Sequence, residues 1–185
     1  MNTSLIDEYT AEYLKNPVSI VLNSFSSKEE ESYASIDINV IVSGESVKIS
    51  GEGVGLVDAG FNSLVNHFSS EYPSLKTIQL SDLYFQINTK GEQSVNLKSK
   101  TLMRLEFSNF RKNKTFFEDV TTSIGFTAIS VLAKAIEFYI NSELLFKRVR
   151  FLIEDAEDRS RYDVASKLKY VLSRVVEVTS YQDVT

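Results

Sequence analysis

The stretch SGEGVGLVDAG, from Ser50 to Gly60, joins an alternating apolar segment to a segment with helical spacing. Its first half contains Gly51, Gly53 and Gly55, three of only seven glycines in the chain. Glycine allows a positive φ and lets two backbones approach closely. The stretch therefore predicts a sharp strand-to-helix corner, although this explanation by itself accounts for one or two of the three glycines.

A nucleotide-binding loop is the functional alternative for these glycines, and the spacing disfavours it. The dinucleotide fingerprint is G-x-G-x-x-G, but the sixth position is Leu56 when counted from Gly51 and Asp58 when counted from Gly53. A Gly-Lys-Ser/Thr sequence does not follow the stretch, so it is not a P-loop either. Asp58 would lie in the first helical turn, where its charge would repel a phosphate.

The segments on either side of this corner form a pattern that occurs twice. Three strand-like segments and a helix are followed by three more strand-like segments and a second helix. This order predicts an α+β fold, a pseudo-twofold repeat of three antiparallel strands plus a helix, with the helices on one face of the sheet. The predicted strands cover 18–26, 33–42, 47–53, 75–89, 94–108 and 115–122, and the predicted helices cover 56–72 and a segment that passes 141. Polar turns are predicted at Lys28–Ser32 and at 90–93, and a bulge is predicted at Ser81–Asp82.

The chain is accordingly divided into an N-terminal helical segment (1–17), the repeated domain (18–143) and a C-terminal helical extension (144–185). The extension has no Gly or Pro, and a break is expected near 158–162. Its interrupted apolar stripe must either pack on the open face of the sheet or pair with a partner chain, and dimer packing is favoured. The stripe comprises Val149, Leu152, Ala156, Val164, Leu168, Val171 and Val175.

The composition excludes several classes of function. The 185 residues are 43% hydrophobic and include 12 Phe and 9 Tyr, enough for a packed core. The absence of cysteine rules out disulfides and thiolate chemistry, and it fits a reducing compartment. A net charge of −5 argues against nucleic-acid binding. We also find no apolar run that approaches the ~20 residues of a membrane span, so a cytoplasmic protein without nucleic-acid or membrane partners is expected.

Catalytic and metal-binding chemistry is not readable in this sequence. His67, the single histidine, falls on the flank of its predicted helix and is expected to be solvated. The acidic run from Glu154 to Asp158 is best explained as a solvated helix face. Without a readable nucleophile–base pair, a second histidine or a ligand cluster, the prediction is a protein that is not an enzyme and that has no metal or other cofactor.

Three motifs, taken in order, resemble the LeuA allosteric (dimerisation) domain of 2-isopropylmalate and citramalate synthases. The segment GVGLVDA, at 53–59, is similar to the family's G-x-G-P-V-D-A turn. LSDLYFQI, at 80–87, is similar to its L-x-D-Y-x-V strand, and SVLAKAIEFYIN, at 130–141, resembles its last helix. The resemblance covers roughly residues 18–141.

This resemblance implies a module that dimerises and binds leucine or isoleucine near its dimer interface, with the glycine turn close to the ligand. The implied ligand-binding positions are Gly53, Gly55, Leu56, Val57, Asp58 and Ala59, followed by Asp82 and Tyr84. Backbone N–H groups at a helix N-terminus can hold a carboxylate. Asp58 could accept from an α-ammonium group, but a role in starting the helix is favoured for it, and Asp82 is more often a bulge or turn residue.

The chain also departs from the family pattern. Leu56 replaces the family's Pro, Leu83 replaces its Tyr beside Tyr84, and the second half has only Gly125 before its helix. The family's catalytic (β/α)8 barrel with its H-x-H metal motif is absent. Three interpretations follow: a stand-alone effector-binding subunit that acts on a separate synthase, a structural scaffold that has lost its ligand, or a divergent domain with an unrelated partner.

Overall fold

The computed structural model describes residues 3–88, 100–109 and 111–179. Within these ranges, four helices, six strands and one 3-10 turn follow each other. In order they are α1 (Ser4–Tyr13), β1 (Ile20–Glu30), β2 (Tyr33–Val42), β3 (Glu45–Gly53), α2 (Leu56–Phe68), the 3-10 turn (Pro73–Thr77), β4 (Gln79–Asn88), β5 (Lys100–Ser108), β6 (Lys114–Thr121), α3 (Ile124–Asp158) and α4 (Tyr162–Thr179).

The strands form two three-stranded antiparallel sheets, with the orders β1-β2-β3 and β4-β5-β6. A helix follows each sheet, so the predicted α+β fold with a repeated unit of three strands and a helix is confirmed. A bulge between Leu80 and Asp82 interrupts the pairing of β4, where the sequence predicted one. The predicted turn at 90–93 and the first part of the strand predicted from 94 lie outside the described residues.

Alternating apolar residues give each sheet one buried face. In β2 the side chains of Ile36, Ile38 and Val40 are buried. In β5 the buried positions Met103, Leu105 and Phe107 alternate with Leu102 and Arg104, as a half-buried strand requires.

Helix α3 forms the centre of the core and packs against both sheets as well as α1, α2 and α4. Ile129, Leu132, Ile136 and Ile140 on this helix are all fully buried. It is the one helix among the described residues that is long and apolar enough to cross a membrane, and 67% of its apolar window is buried inside the protein. Such burial is the property of a core helix rather than of a lipid-facing one.

The C-terminal extension does not form a separate unit. Helix α3 runs uninterrupted through position 143 and ends at Asp158, and α4 folds back onto it. The reversal takes place at Arg159–Arg161, inside the predicted break, with Ser160 at a φ of +56°. Val149, Ala156, Leu168 and other members of the apolar stripe are buried against the chain itself. The preference for dimer packing of this stripe was therefore wrong, because the hairpin lets the two helices cover each other.

The turn between β5 and β6 holds the end of this hairpin in place. Asn109 and Asn113 both donate side-chain N–H groups to the carbonyl oxygen of Glu177, at 3.3 and 2.7 Å. The last carbonyls of a helix lack partners within the helix. The two asparagines donate to one of these carbonyl oxygens and so tie α4 to the second sheet.

Candidate functional site

The glycine turn is a place of close packing between β3 and α2. A Cβ atom on Gly51 would lie 2.1 Å from the Ser63 hydroxyl oxygen, and one on Gly53 would lie 2.4 Å from the backbone nitrogen of Ala59. Neither glycine has a positive φ, a feature found among the described glycines only at Gly44. Two of the three glycines are thus explained by the close packing of β3 on α2, against the Ser63 side chain at Gly51 and against the helix backbone at Gly53, and not by an unusual backbone conformation.

Gly55 is different, because it has open space around it. A Cβ atom there would meet no other atom within 4 Å, and its φ of −156° and ψ of 177° suit any residue. Gly55 is the N-cap of α2, and the helix starts without a capping side chain. The first N–H groups of a helix have no acceptor within the helix and carry its positive dipole end. The start of α2 is therefore an uncapped helix end beside free space.

Asp58 does not fill this uncapped position. Its carboxylate accepts a hydrogen bond from the backbone N–H of Val54, at 3.0 Å, and so fastens the residue before the N-cap to the first turn. This is the role in starting the helix that the sequence favoured for Asp58. Val54 itself is 71% exposed.

The other predicted residues of the turn differ in how accessible they are. The Ala59 side chain is fully buried, so it shapes the packing beneath the turn. Leu56 and Val57 are half-buried and pack on the edge of the core. Among the six predicted positions on this turn, Gly55 lies beside open space.

The start of α3 approaches the same region from the second repeat. A Cβ atom on Gly125 would lie 2.9 Å from the Phe25 ring and 3.4 Å from the Leu56 side chain. The N-terminal ends of α2 and α3 thus meet, with Phe25 and Leu56 between them. Unlike α2, α3 is capped, because the Ser123 hydroxyl accepts from the Phe126 N–H at 3.3 Å.

An open cavity of about 480 Å³ lies beside the start of α3. Its walls are Phe25 and Phe126 together with the polar residues Asn23, Ser24, Thr121, Thr122 and Ser123. The sequence did not single out Asn23, Ser24 or Phe25, because strand β1 reaches the start of α3 only through the tertiary fold.

Asp82 and Tyr84, the two remaining predicted residues, lie on β4 of the other sheet. The Asp82 carboxylate accepts from its neighbour's N–H, that of Leu83, at 2.8 Å just after the bulge, and the Tyr84 hydroxyl contacts Gln86 at 3.2 Å. A cavity of about 500 Å³ lies beside Gly51 on the first sheet, and its lining includes neither Asp82 nor Tyr84. The structure thus places Asp82 beside the bulge, and it places both residues on an edge strand of the second sheet rather than at the glycine turn.

A polar cleft between α1 and α3 was missed at the level of sequence. It has a volume of about 440 Å³, and Asp7, Lys134, Glu137 and Asn141 are among its lining residues. Asn141 accepts from the N–H of Val18 and donates to its carbonyl, both at 2.8 Å, as a neighbouring strand would. Partners so far apart along the chain leave no local pattern in the sequence.

Glu137 holds the start of β1 through the N–H of Ile20, whose distance to the carboxylate is 2.5 Å. Burial raises the pKa of the Glu137 carboxyl above its ordinary value; Asp7 acts in the same direction, while the Ile20 N–H and Lys134 oppose them. Because the folded pKa is raised, the folded state loses stability as the pH rises from the ordinary glutamate value, about 4.3, through the folded pKa.

The substitution Glu137→Gln removes this charge but keeps an oxygen that can accept from Ile20. We expect it to raise the melting temperature by about 2 °C near neutral pH, with a difference from wild type that shrinks on acidification toward pH ~4. Glu154→Gln, on the same helix with a side chain 64% exposed, serves as the control and should show no such trend. Thermal melts across this pH range test the prediction, and a difference that grows on acidification would contradict it.

His67 is exposed on α2, as expected, and its ring meets Phe68 edge-on at 4.7 Å. Within residues 3–88, 100–109 and 111–179, no three His, Asp or Glu side chains come together as a metal would need. No protein-family model matches the chain, and no curated protein matches it.

Proposed function

We propose that this protein is a non-catalytic regulatory and dimerisation module that binds a branched-chain amino acid, leucine or isoleucine, and acts on a separate synthase subunit in the cytoplasm. The resemblance to the LeuA allosteric domain suggests the ligand and the pathway, branched-chain amino-acid synthesis. The observation that carries the proposal is the meeting of the α2 and α3 N-termini at Leu56 and Gly125.

The chemistry of this region suits an amino acid. The uncapped first turn of α2 offers N–H donors to a carboxylate, and the free space at Gly55 lets a ligand reach them. The half-buried side chains of Leu56 and Val57 supply an apolar surface for an aliphatic side chain. One oxygen of the Asp58 carboxylate accepts from the Val54 N–H, which leaves the other oxygen able to accept from the ammonium group.

A structural interaction scaffold that has lost its ligand is the second candidate. It is favoured by Phe25 and Leu56, whose side chains occupy the space over Gly125 between the two helix starts. In this case the module would act through its surfaces alone, and the former ligand space would be part of the core.

Isothermal titration with leucine, isoleucine and valine separates the two candidates. The effector module predicts saturable binding of one amino acid and a higher melting temperature in its presence. Gly55→Val should abolish this binding without unfolding the protein, because the added side chain enters open space. Val54→Ala, at the exposed neighbouring position, is the matched control and should bind as wild type does.

Two results would favour the scaffold. The first is a folded protein that binds none of the three amino acids. The second is binding that is absent in wild type but gained in Phe25→Ala, which would mean that the Phe25 ring fills the ligand space. Binding that survives Gly55→Val would overturn the proposed position of the site.

A further inference from the structure

The open edge strand β4 exposes an unusual number of apolar side chains. It lies at the end of its sheet and pairs only with β5 among the described residues. Three consecutive apolar side chains on it are exposed: Leu83 at 39%, Tyr84 at 51% and Phe85 at 53%. Successive side chains in a strand point to opposite faces, so β4 exposes apolar groups on both faces at once.

The pairing of β4 with β5 shows how far α3 covers the inner face of the second sheet. Leu83 lies beside Leu105 and Phe85 lies beside Met103, so these four side chains share the inner face. Leu105 and Met103 are fully buried because α3 packs on β5 and β6. The same apolar face continues onto β4, where Leu83 and Phe85 remain uncovered.

The other three edge strands carry devices that discourage pairing with another chain. The start of β1 is bonded to α3 through Val18 and Ile20, and charged residues lie along the open edges of the sheets. Such charges protect edge strands from intermolecular pairing. They comprise Lys28, Glu29 and Glu30 on β1, Glu45, Lys48 and Glu52 on β3, and Lys114, Glu118 and Asp119 on β6. From Leu83 to Asn88, β4 carries none.

We propose that β4 pairs antiparallel with β4 of a second copy of this chain, forming one continuous six-stranded sheet across a twofold axis. Between Leu83 and Ile87 the open edge of β4 carries no charge and three exposed apolar side chains, so its best match within this protein is the same segment of a second copy. A pairing of identical edges closes into a dimer, whereas a pairing of different edges would propagate. The inference gives an interface to the dimer included in the proposed function, and it does not depend on the ligand.

The two β4 strands fit each other well when Phe85 of one copy lies opposite Phe85 of the other. Leu83 then faces Ile87 of the partner subunit, and Tyr84 faces Gln86 of the partner subunit. All inner-face side chains remain on one side of the joined sheet, and no like charges oppose each other within 83–87. Since a short strand pair lies at the small end of specific interfaces, we expect a dissociation constant in roughly the micromolar range.

Sedimentation velocity over a concentration series, without any amino acid, tests the pairing. Wild type should pass from monomer to dimer as the concentration rises. Phe85→Lys places two ammonium groups opposite each other at the twofold axis and should weaken the dimer by at least about tenfold. Its melting temperature, measured at a concentration where wild type is also monomeric, should stay near the wild-type value, because Phe85 is more than half exposed.

Phe116→Lys is the matched control, since Phe116 lies on β6 of the same sheet and is 45% exposed. It should leave the dimer unchanged. A dimer that Phe116→Lys weakens as much as Phe85→Lys does would overturn the β4 interface, and so would a wild-type protein that stays monomeric or a dimer that Phe85→Lys leaves intact.

Cysteine crosslinking gives an independent test, because the chain has no cysteine of its own. With a short bifunctional maleimide crosslinker, Phe85→Cys should form a covalent dimer, since directly opposed residues have their Cβ atoms roughly 5 Å apart. Phe116→Cys should remain monomeric under the same conditions. The reverse pattern would overturn the proposal. The titration with amino acids is read separately, so failure of the dimer and failure of the effector site are distinguishable.

Discussion

Glu143→Ala is expected to lower the free energy of unfolding by about 3 kcal/mol. Glu143 lies on α3 and its side chain is completely buried. One carboxylate oxygen accepts from the backbone N–H of Ser74 at 3.0 Å, and the other lies 2.7 Å from the Lys147 ammonium group. Alanine would leave the Ser74 N–H buried without an acceptor, and it would leave a cavity.

The Glu143 carboxylate also connects parts of the fold that are distant in sequence. Ser74 belongs to the 3-10 turn between the two repeats, so this hydrogen bond fixes the connection to the helix of the second repeat. Burial, with Glu71 and Glu143 nearby, raises the pKa of the Tyr72 hydroxyl to about 12. Tyr72 is therefore neutral near neutral pH and adds no second negative charge beside Glu143.

Glu154→Ala is the matched control for this loss. Glu154 lies on the same helix and also pairs with a cation one turn away, Arg150 at 3.5 Å, but its side chain is 64% exposed. Exposed pairs of this kind contribute little, so the control should cost less than about 0.5 kcal/mol. Glu143→Gln, which can still accept from Ser74, should fall between the two. Urea unfolding of the three variants measures these differences, and equal losses at positions 143 and 154 would contradict the argument.

The sequence predicted the elements of this fold wherever the evidence for them was local. Alternating apolar residues identified β2 and β5, and the helical spacing identified α2 and the long α3. The bulge before Asp82 and the break after Asp158 were also predicted correctly. At the first hairpin, where Lys28–Ser32 were predicted to turn, Lys28–Glu30 instead continue β1 and only Glu31 and Ser32 form the turn. Pairing with β2 outweighed the low strand propensity of these charged residues.

The candidate site was less predictable, because it is assembled from both repeats. The glycine turn was found, but its neighbours Phe25 and Gly125 come from another strand and another helix. The packing partner of the C-terminal apolar stripe could not be predicted either. An apolar helix face must be buried, but its sequence does not indicate whether it packs against the same chain or against another one. Asn141 and Glu143 illustrate the same limit, because each bonds to a backbone group more than sixty positions away.

Gly53→Ala is expected to destabilise the protein by about 3 kcal/mol, whereas Gly55→Ala, only two positions away, should change stability by less than about 1 kcal/mol. The added methyl group at Gly53 would lie 2.4 Å from the Ala59 nitrogen and 2.5 Å from the Asp58 carboxylate. The Ala59 nitrogen belongs to the helix backbone and cannot swing aside, so α2 would have to move away from β3. The same methyl group at Gly55 would point into empty space, on a backbone that alanine adopts freely.

The comparison between the two variants separates the structural glycine from the one that leaves room for a ligand. Thermal and urea unfolding should place Gly55→Ala close to wild type, because the lower freedom of the unfolded chain offsets the poorer fit of alanine at an N-cap. Gly53→Ala should melt lower by about 8 °C. An equal loss of stability in both variants would contradict the open space at the start of α2. It would therefore also contradict the position proposed for the ligand. A harmless Gly53→Ala would instead mean that α2 can shift on β3, and that close packing does not explain this glycine.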